Sequence, residues 1–133
     1  MFLEDWRIKI SVLWLFYAVA FLVVLSLGAF EPGAIEQVMS GEIGGIKITP
    51  ELLFGLAALI LVPLIMAFLS LTLKDSVNRW ANIIVGIVFT VLQLIALGEL
   101  VAAPVAWEIL MEISKVVAPA LIVWYAWKSK QKA

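Results

Sequence analysis

The chain has 133 residues, 65% hydrophobic and only 14% charged, with a net charge of −1. Soluble domains hold ~45–50% apolar and ~25% charged residues, so the excess points to lipid as the solvent, and the near-zero charge speaks against a nucleic-acid partner. With neither cysteine nor histidine, no metal site or cofactor of the usual thiolate or imidazole kind is expected, which leaves carboxylates, lysine, tyrosine, amides and hydroxyls for any chemistry.

Met1 to Lys9 reads as a short amphipathic lead-in with Trp6 at headgroup level. Ile10 to Phe30 follows as 21 residues without a charge, enough for a first membrane-spanning helix. A signal peptide is the competing reading, with Arg7 and Lys9 as its basic region and Ser26-Leu-Gly28 as a cleavage site. The apolar run exceeds the usual ~7–15 residues, which favours a retained helix. Glu31-Pro-Gly33 stops it. Ala34 to Ser40 suits two turns of interfacial helix with Ile35, Val38 and Met39 on one side. Gly41 to Gly45 is flexible, and Ile46 to Pro50 is briefly extended. Thr49 is positioned as an N-cap, with Pro50 first in the helix and Glu51 beside its positive end. This connector forms either a lid or a plain link between helices.

The second span runs from about residue 50 to 73, with Pro63 removing a backbone bond in mid-helix. Lys74-Asp-Ser-Val-Asn78 is a tight turn in which Asp75 or Ser76 could cap the next helix, so the neighbours must be antiparallel. The third span covers about 77–97. On it Asn82, Gly86, Thr90 and Gln93 share one face. Gly98 to Pro104 forms another turn before the fourth span at about 104–128 and the basic tail Lys128-Ser-Lys-Gln-Lys132.

That last span carries the charges. The apolar run from Val116 to Trp127 has 12 residues, too few for a bilayer core that needs about 20. The span therefore extends back through Lys115 and Glu112, leaving Lys115 ~17 Å from either end, near the midplane. Ionisable groups there cost roughly 2.5–3.5 kcal/mol each, so they face protein or a wet cavity. Glu108, Glu112, Lys115 and Pro119 share a narrow arc, and Glu112 and Lys115 are i, i+3 neighbours able to pair. Pro119 leaves the Lys115 carbonyl without its helical donor.

The expected architecture is all-α: one integral membrane domain over 1–133, an up-down-up-down four-helix bundle with a short outer interfacial segment and spans at about 8–30, 50–73, 77–97 and 104–128. Arg7, Lys9, Lys74, Arg79, Lys128, Lys130 and Lys132 fall on the side of both termini, whereas Lys47 stands alone opposite. By the positive-inside rule that puts both termini in the cytoplasm of a cell bearing the protein in its plasma membrane. The candidate site is a polar pocket opening outwards. Glu99 and Glu108 stand at its mouth, Glu112, Lys115 and Gln93 at its floor, with Thr90, Asn82 and Tyr17 facing the same place. Such a site could hold a proton, accept an anion at Lys115 or act as an acid–base couple. The plainer alternative is an internal ion pair and amide stripe that fix helix register, each hydrogen bond contributing about 0.6 kcal/mol. Trp6, Trp80, Trp107, Trp124, Tyr125 and Trp127 fit interfacial belts, while Trp14 and Tyr17 lie deep enough for ligand stacking or core packing.

Several segments together resemble a known group. They are the Glu31-Pro-Gly33 helix end, Gly44-Gly-Ile-Lys-Ile-Thr-Pro-Glu51, Asn78-Arg-Trp-Ala-Asn82 and Trp124-Tyr-Ala-Trp127 before the basic tail. The chain resembles an uncharacterised prokaryotic family of small four-helix membrane proteins, broadly similar to DoxX-like proteins. That resemblance implies a hydrophobic-ligand pocket, a quinone-linked oxidoreductase subunit, or sterol-directed chemistry on membrane carboxylates. It assigns no catalytic residue. Three functions stay open: binding or passage of a small amphipathic or ionic ligand, proton-linked or otherwise; an intramembrane enzyme for a lipid, quinone or sterol-like substrate, with Glu112 as acid–base and Lys115 or Tyr17 stabilising charge; and a non-catalytic assembly subunit. Membrane lipid is the expected surrounding partner, and four short spans suggest a homo-oligomer for any transporter.

Overall fold

A computed structural model describes residues 5–132. Met1 to Glu4 of the expected lead-in lie outside the described residues, as do the side chains of Lys130 and Lys132 in the basic tail. The elements are α1 (Asp5–Gly28), α2 (Ala34–Met39), β1 (Glu42–Ile43), β2 (Ile46–Lys47), α3 (Pro50–Thr72), α4 (Asp75–Ala102) and α5 (Ala106–Lys132). Four of these helices are long and apolar enough to cross a membrane.

Local chemistry explains where each helix starts and stops. Thr49 is extended and its hydroxyl accepts from the Leu52 amide at 3.1 Å, with Pro50 opening α3 and Glu51 in its first turn. In α4 the expected cap is absent. Lys74 precedes the helix without a side-chain cap, and Asp75 instead accepts an ion pair from Arg7. The helix then runs through Gly98 and Glu99 to Ala102, because one helical glycine costs only about 1 kcal/mol. The expected seven-residue turn shrinks to 103–105. The stretch from Ile46 is not a lone extended run either. Glu42 pairs with Lys47 and Ile43 with Ile46, around Gly44 and Gly45 at φ 55° and 81°. Two successive positive φ values make a tight hairpin turn that glycine adopts without strain.

Hydrogen bonds and ring contacts fix which ends meet. Arg7 of α1 pairs with Asp75 of α4, Arg79 Nε donates to Ser129 Oγ of α5 at 3.2 Å, and the Lys9 ammonium stands 5.2 Å from the Tyr125 ring centroid. At the opposite end Trp107 Nε1 donates to Glu31 Oε1 at 2.5 Å. The helices therefore run up-down-up-down, with the α1 start, the α3–α4 turn and the α5 end together.

The packing is uneven. α1 lies against both α3 and α5, and α5 lies closely along α4, whereas α3 and α4 meet only sparsely. Ile10, Trp14, Tyr17 and Phe21 of α1 form the central line, meeting Met66 and Ala67 of α3, Ile83 and Phe89 of α4, and Ala118, Ile122 and Ala126 of α5. Where α4 crosses α5, a Cβ on Gly86 would lie 2.7 Å from Val123 Cγ2 and 3.4 Å from the Pro119 carbonyl oxygen. Only a glycine permits that approach. The outward faces stay apolar, for example Leu53, Phe54, Leu61, Ile65 and Phe68 on α3, as a helix solvated by lipid requires.

Candidate functional site

Two polar groups interrupt the apolar interior, and an aromatic cluster stands between them. The first gathers around α5. Lys115 Nζ lies 3.3 Å from Glu112 Oε1, and both residues are 5% exposed. Their spacing puts them on one side of α5, and the packing of α1 and α4 on that side removes them from the surroundings. The ammonium also stands 4.6 Å from the Phe21 ring centroid, so the negative face of the ring supplements its single carboxylate partner. Beside them Gln93 Nε2 donates to the Tyr17 hydroxyl at 2.5 Å.

This cluster is incompletely bonded. Gln93 Oε1 and Glu112 Oε2 are buried without a hydrogen-bond partner; the amide oxygen accepts only, as does the carboxylate when ionised. Buried polar atoms are nearly always satisfied, so each such exception calls for a cause. Glu112 forms part of the wall of a cavity of about 500 Å³, shared with Glu99, Glu108, Val24, Ala96, Leu100 and Ala103. Three helices contribute, with Glu99 exposed, Glu108 half-buried and Glu112 buried. Lys115, Gln93 and Tyr17 lie outside that lining set. A smaller cavity of about 330 Å³ lies against Leu27, Phe30, Glu31 and Trp107.

The second group lies towards the α3–α4 turn, and Asn82 is its centre. Trp14 Nε1 donates to Asn82 Oδ1 at 2.7 Å. Asn82 Nδ2 donates to the Asn78 carbonyl oxygen at 2.9 Å and to Asn78 Oδ1 at 2.6 Å. Asn78 Nδ2 donates to the Ser70 carbonyl oxygen at 2.7 Å, and Ser70 Oγ to that of Met66 at 2.6 Å. Ser11 Oγ donates to the Ala67 carbonyl oxygen at 2.8 Å. Every donor here has an acceptor, which makes the group a clamp on the junction of α1, α3 and α4.

The seven residues singled out from sequence thus divide. Glu112, Lys115, Gln93 and Tyr17 come together, and Glu108 shares a cavity with Glu112. Asn82 belongs to the other group. Thr90 Oγ1 donates to the Gly86 carbonyl oxygen of its own helix at 2.7 Å. Between the groups Trp14, Tyr17 and Phe89 meet edge to face, with centroids 5.4–6.4 Å apart, so Trp14 is core and hydrogen-bond donor. Sequence reasoning missed Ser70 and Asn78 as its indirect partners. A lone serine in the apolar run of α3 and an asparagine one turn before Asn82 were the available signals. Among the described residues no three carboxylate, histidine or cysteine groups converge as metal ligands would.

By the length and composition of its four long helices, with an ion pair sealed between them, the chain falls in the class of multi-pass helical membrane proteins. It belongs to DUF6326, a family of unknown function whose profile matches residues 2–133. No curated protein and no solved structure matches it. The uncharacterised family read from the sequence is thereby shown, while the broader likeness to DoxX-like proteins gains no support.

Proposed function

We propose that the protein binds a small ligand in the cavity walled by Glu99, Glu108 and Glu112, with Lys115 paired to Glu112 beside it. One observation carries this reading. Glu112 is part of the cavity wall and carries a buried oxygen without a partner, and such an oxygen is costly unless something donates to it. The volume of about 500 Å³ lies within the ~300–1,000 Å³ of small-molecule sites. Binding is favoured over passage, because Trp14, Tyr17 and Phe89 fill the interior between the cavity and the second polar group. A transport cycle would have to part them. The charge distribution of the sequence supports a plasma-membrane location with both termini in the cytoplasm, so the cavity would open outwards.

An enzyme acting on a lipid, quinone or sterol-like substrate, as the DoxX-like resemblance suggests, has no separate observation in its favour. Native mass spectrometry of the gently purified protein, wild type beside Glu112→Gln, tests the proposal. The expected result is a small molecule retained by the wild type and lost from the variant. A bare protein of the same subunit number in both would overturn it and favour an assembly subunit. The same spectra count the subunits, and a homo-oligomer is what a transporter would require.

A further inference from the structure

Resting on the cavity proposed above, we infer that its ligand is an amphipathic organic cation carrying N–H donors, an alkyl- or arylalkylammonium. The sign of the charge follows from what the cavity presents. Its charged walls are Glu99, Glu108 and Glu112, and Lys115 cancels only one carboxylate while turned onto Phe21. An anion entering would meet carboxylates first, whereas a cation is attracted along the whole path. The demand for a donor follows from Glu112, a residue of the cavity wall whose Oε2 is buried without a partner. An ionised carboxylate only accepts, so an ammonium satisfies that oxygen and a quaternary or anionic group does not. The size follows from the spread of the carboxylates. They do not converge as ligands of one small ion would, and they are separated by the apolar walls Val24, Ala96, Leu100 and Ala103, which suit a hydrocarbon tail.

Two sources supply this chemistry, a free amine and the headgroup of an aminophospholipid. The full chain in phosphatidylcholine nanodiscs distinguishes them. Binding of 2-phenylethylammonium, 3-phenylpropionate, 3-phenylpropanol and tetrapropylammonium is measured by calorimetry, and repeated after phosphatidylethanolamine is added to the discs. The expected result is that 2-phenylethylammonium binds at least tenfold more tightly than the other three. Glu112→Gln should weaken it about tenfold or more. Glu99→Gln combined with Glu108→Gln, both at the accessible part of the cavity, should weaken it several-fold with the unfolding midpoint unchanged, which guards against a misfolded Glu112 variant. Competition by phosphatidylethanolamine assigns the ammonium to lipid, and its absence assigns it to a free amine; either supports the inference. Equal or tighter binding of the propionate, the alcohol or tetrapropylammonium would overturn the ammonium class while leaving the pocket standing. No binding of any of the four by a folded wild type would overturn both readings.

Discussion

Glu112 and Lys115 show how position decides the meaning of a charge. Each is buried among helices, so each depends on the other, and removing one leaves a buried ion without its partner. Breaking a buried pair costs about 3–5 kcal/mol, whereas replacing both partners by apolar or neutral groups is often close to neutral. Lys115→Met should therefore lower stability by about 3–5 kcal/mol in a denaturing-detergent titration, and Glu112→Gln with Lys115→Met should recover most of that loss. Additive costs in the double variant would show that the pair is not coupled. Asn82 plays a different part. Its amide accepts from Trp14 and donates twice to Asn78, so Asn82→Leu strands those groups at about 1–3 kcal/mol. Stability should fall by that amount while ligand binding at Glu112 is unchanged. A loss of binding at unchanged stability would instead place Asn82 in the site.

The approach of α4 to α5 sets the width of the cavity, since Ala96, Glu99 and Leu100 come from one helix and Glu108 and Glu112 from the other. Gly86 holds that approach. Its hydrogen faces the stiff, β-branched Val123, so Gly86→Val should force the helices apart at about 1–3 kcal/mol of overpacking strain. Combining it with Val123→Ala should return part of the stability. A Gly86→Val protein as stable as the wild type would mean that the helices cross with slack. α2 packs chiefly against β1 and buries none of its residues, leaving Phe30, Ile35, Val38 and Met39 exposed. Its apolar side suits the headgroup boundary where two spans end.

For the molecule as a whole, the arrangement of charges predicts its orientation. A chain without cysteine allows single cysteines to report sidedness without background. In intact cells a membrane-impermeant maleimide should label Gly44→Cys, and should label Ser76→Cys only after permeabilisation. The reverse pattern would mean that the basic end faces outwards and the carboxylate cavity faces the cytoplasm.

Four spans and the end shared by the basic residues were legible in the chain alone, whereas the third helix runs on through Gly98 to Ala102. A run of apolar residues partitions into lipid whatever its neighbours, and a charge within such a run must be buried against protein. Thr49, Pro50 and Glu51 were readable for the same reason, since a cap acts within one turn. The division of the polar stripe was not. A helical wheel gives a direction about one axis but not which neighbour fills it, and Asn82 and Gln93, on one face, lie eleven residues or ~16 Å apart along α4. α1 supplies Trp14 to one and Tyr17 to the other, and the aromatic rings between them close the gap. Only the tertiary packing decided that Asn82 clamps helices, that Lys115 turns onto Phe21, and that Glu112 reaches a cavity with one oxygen unbonded. Those outcomes depend on three helices meeting at one depth, information that no single stretch of the chain contains.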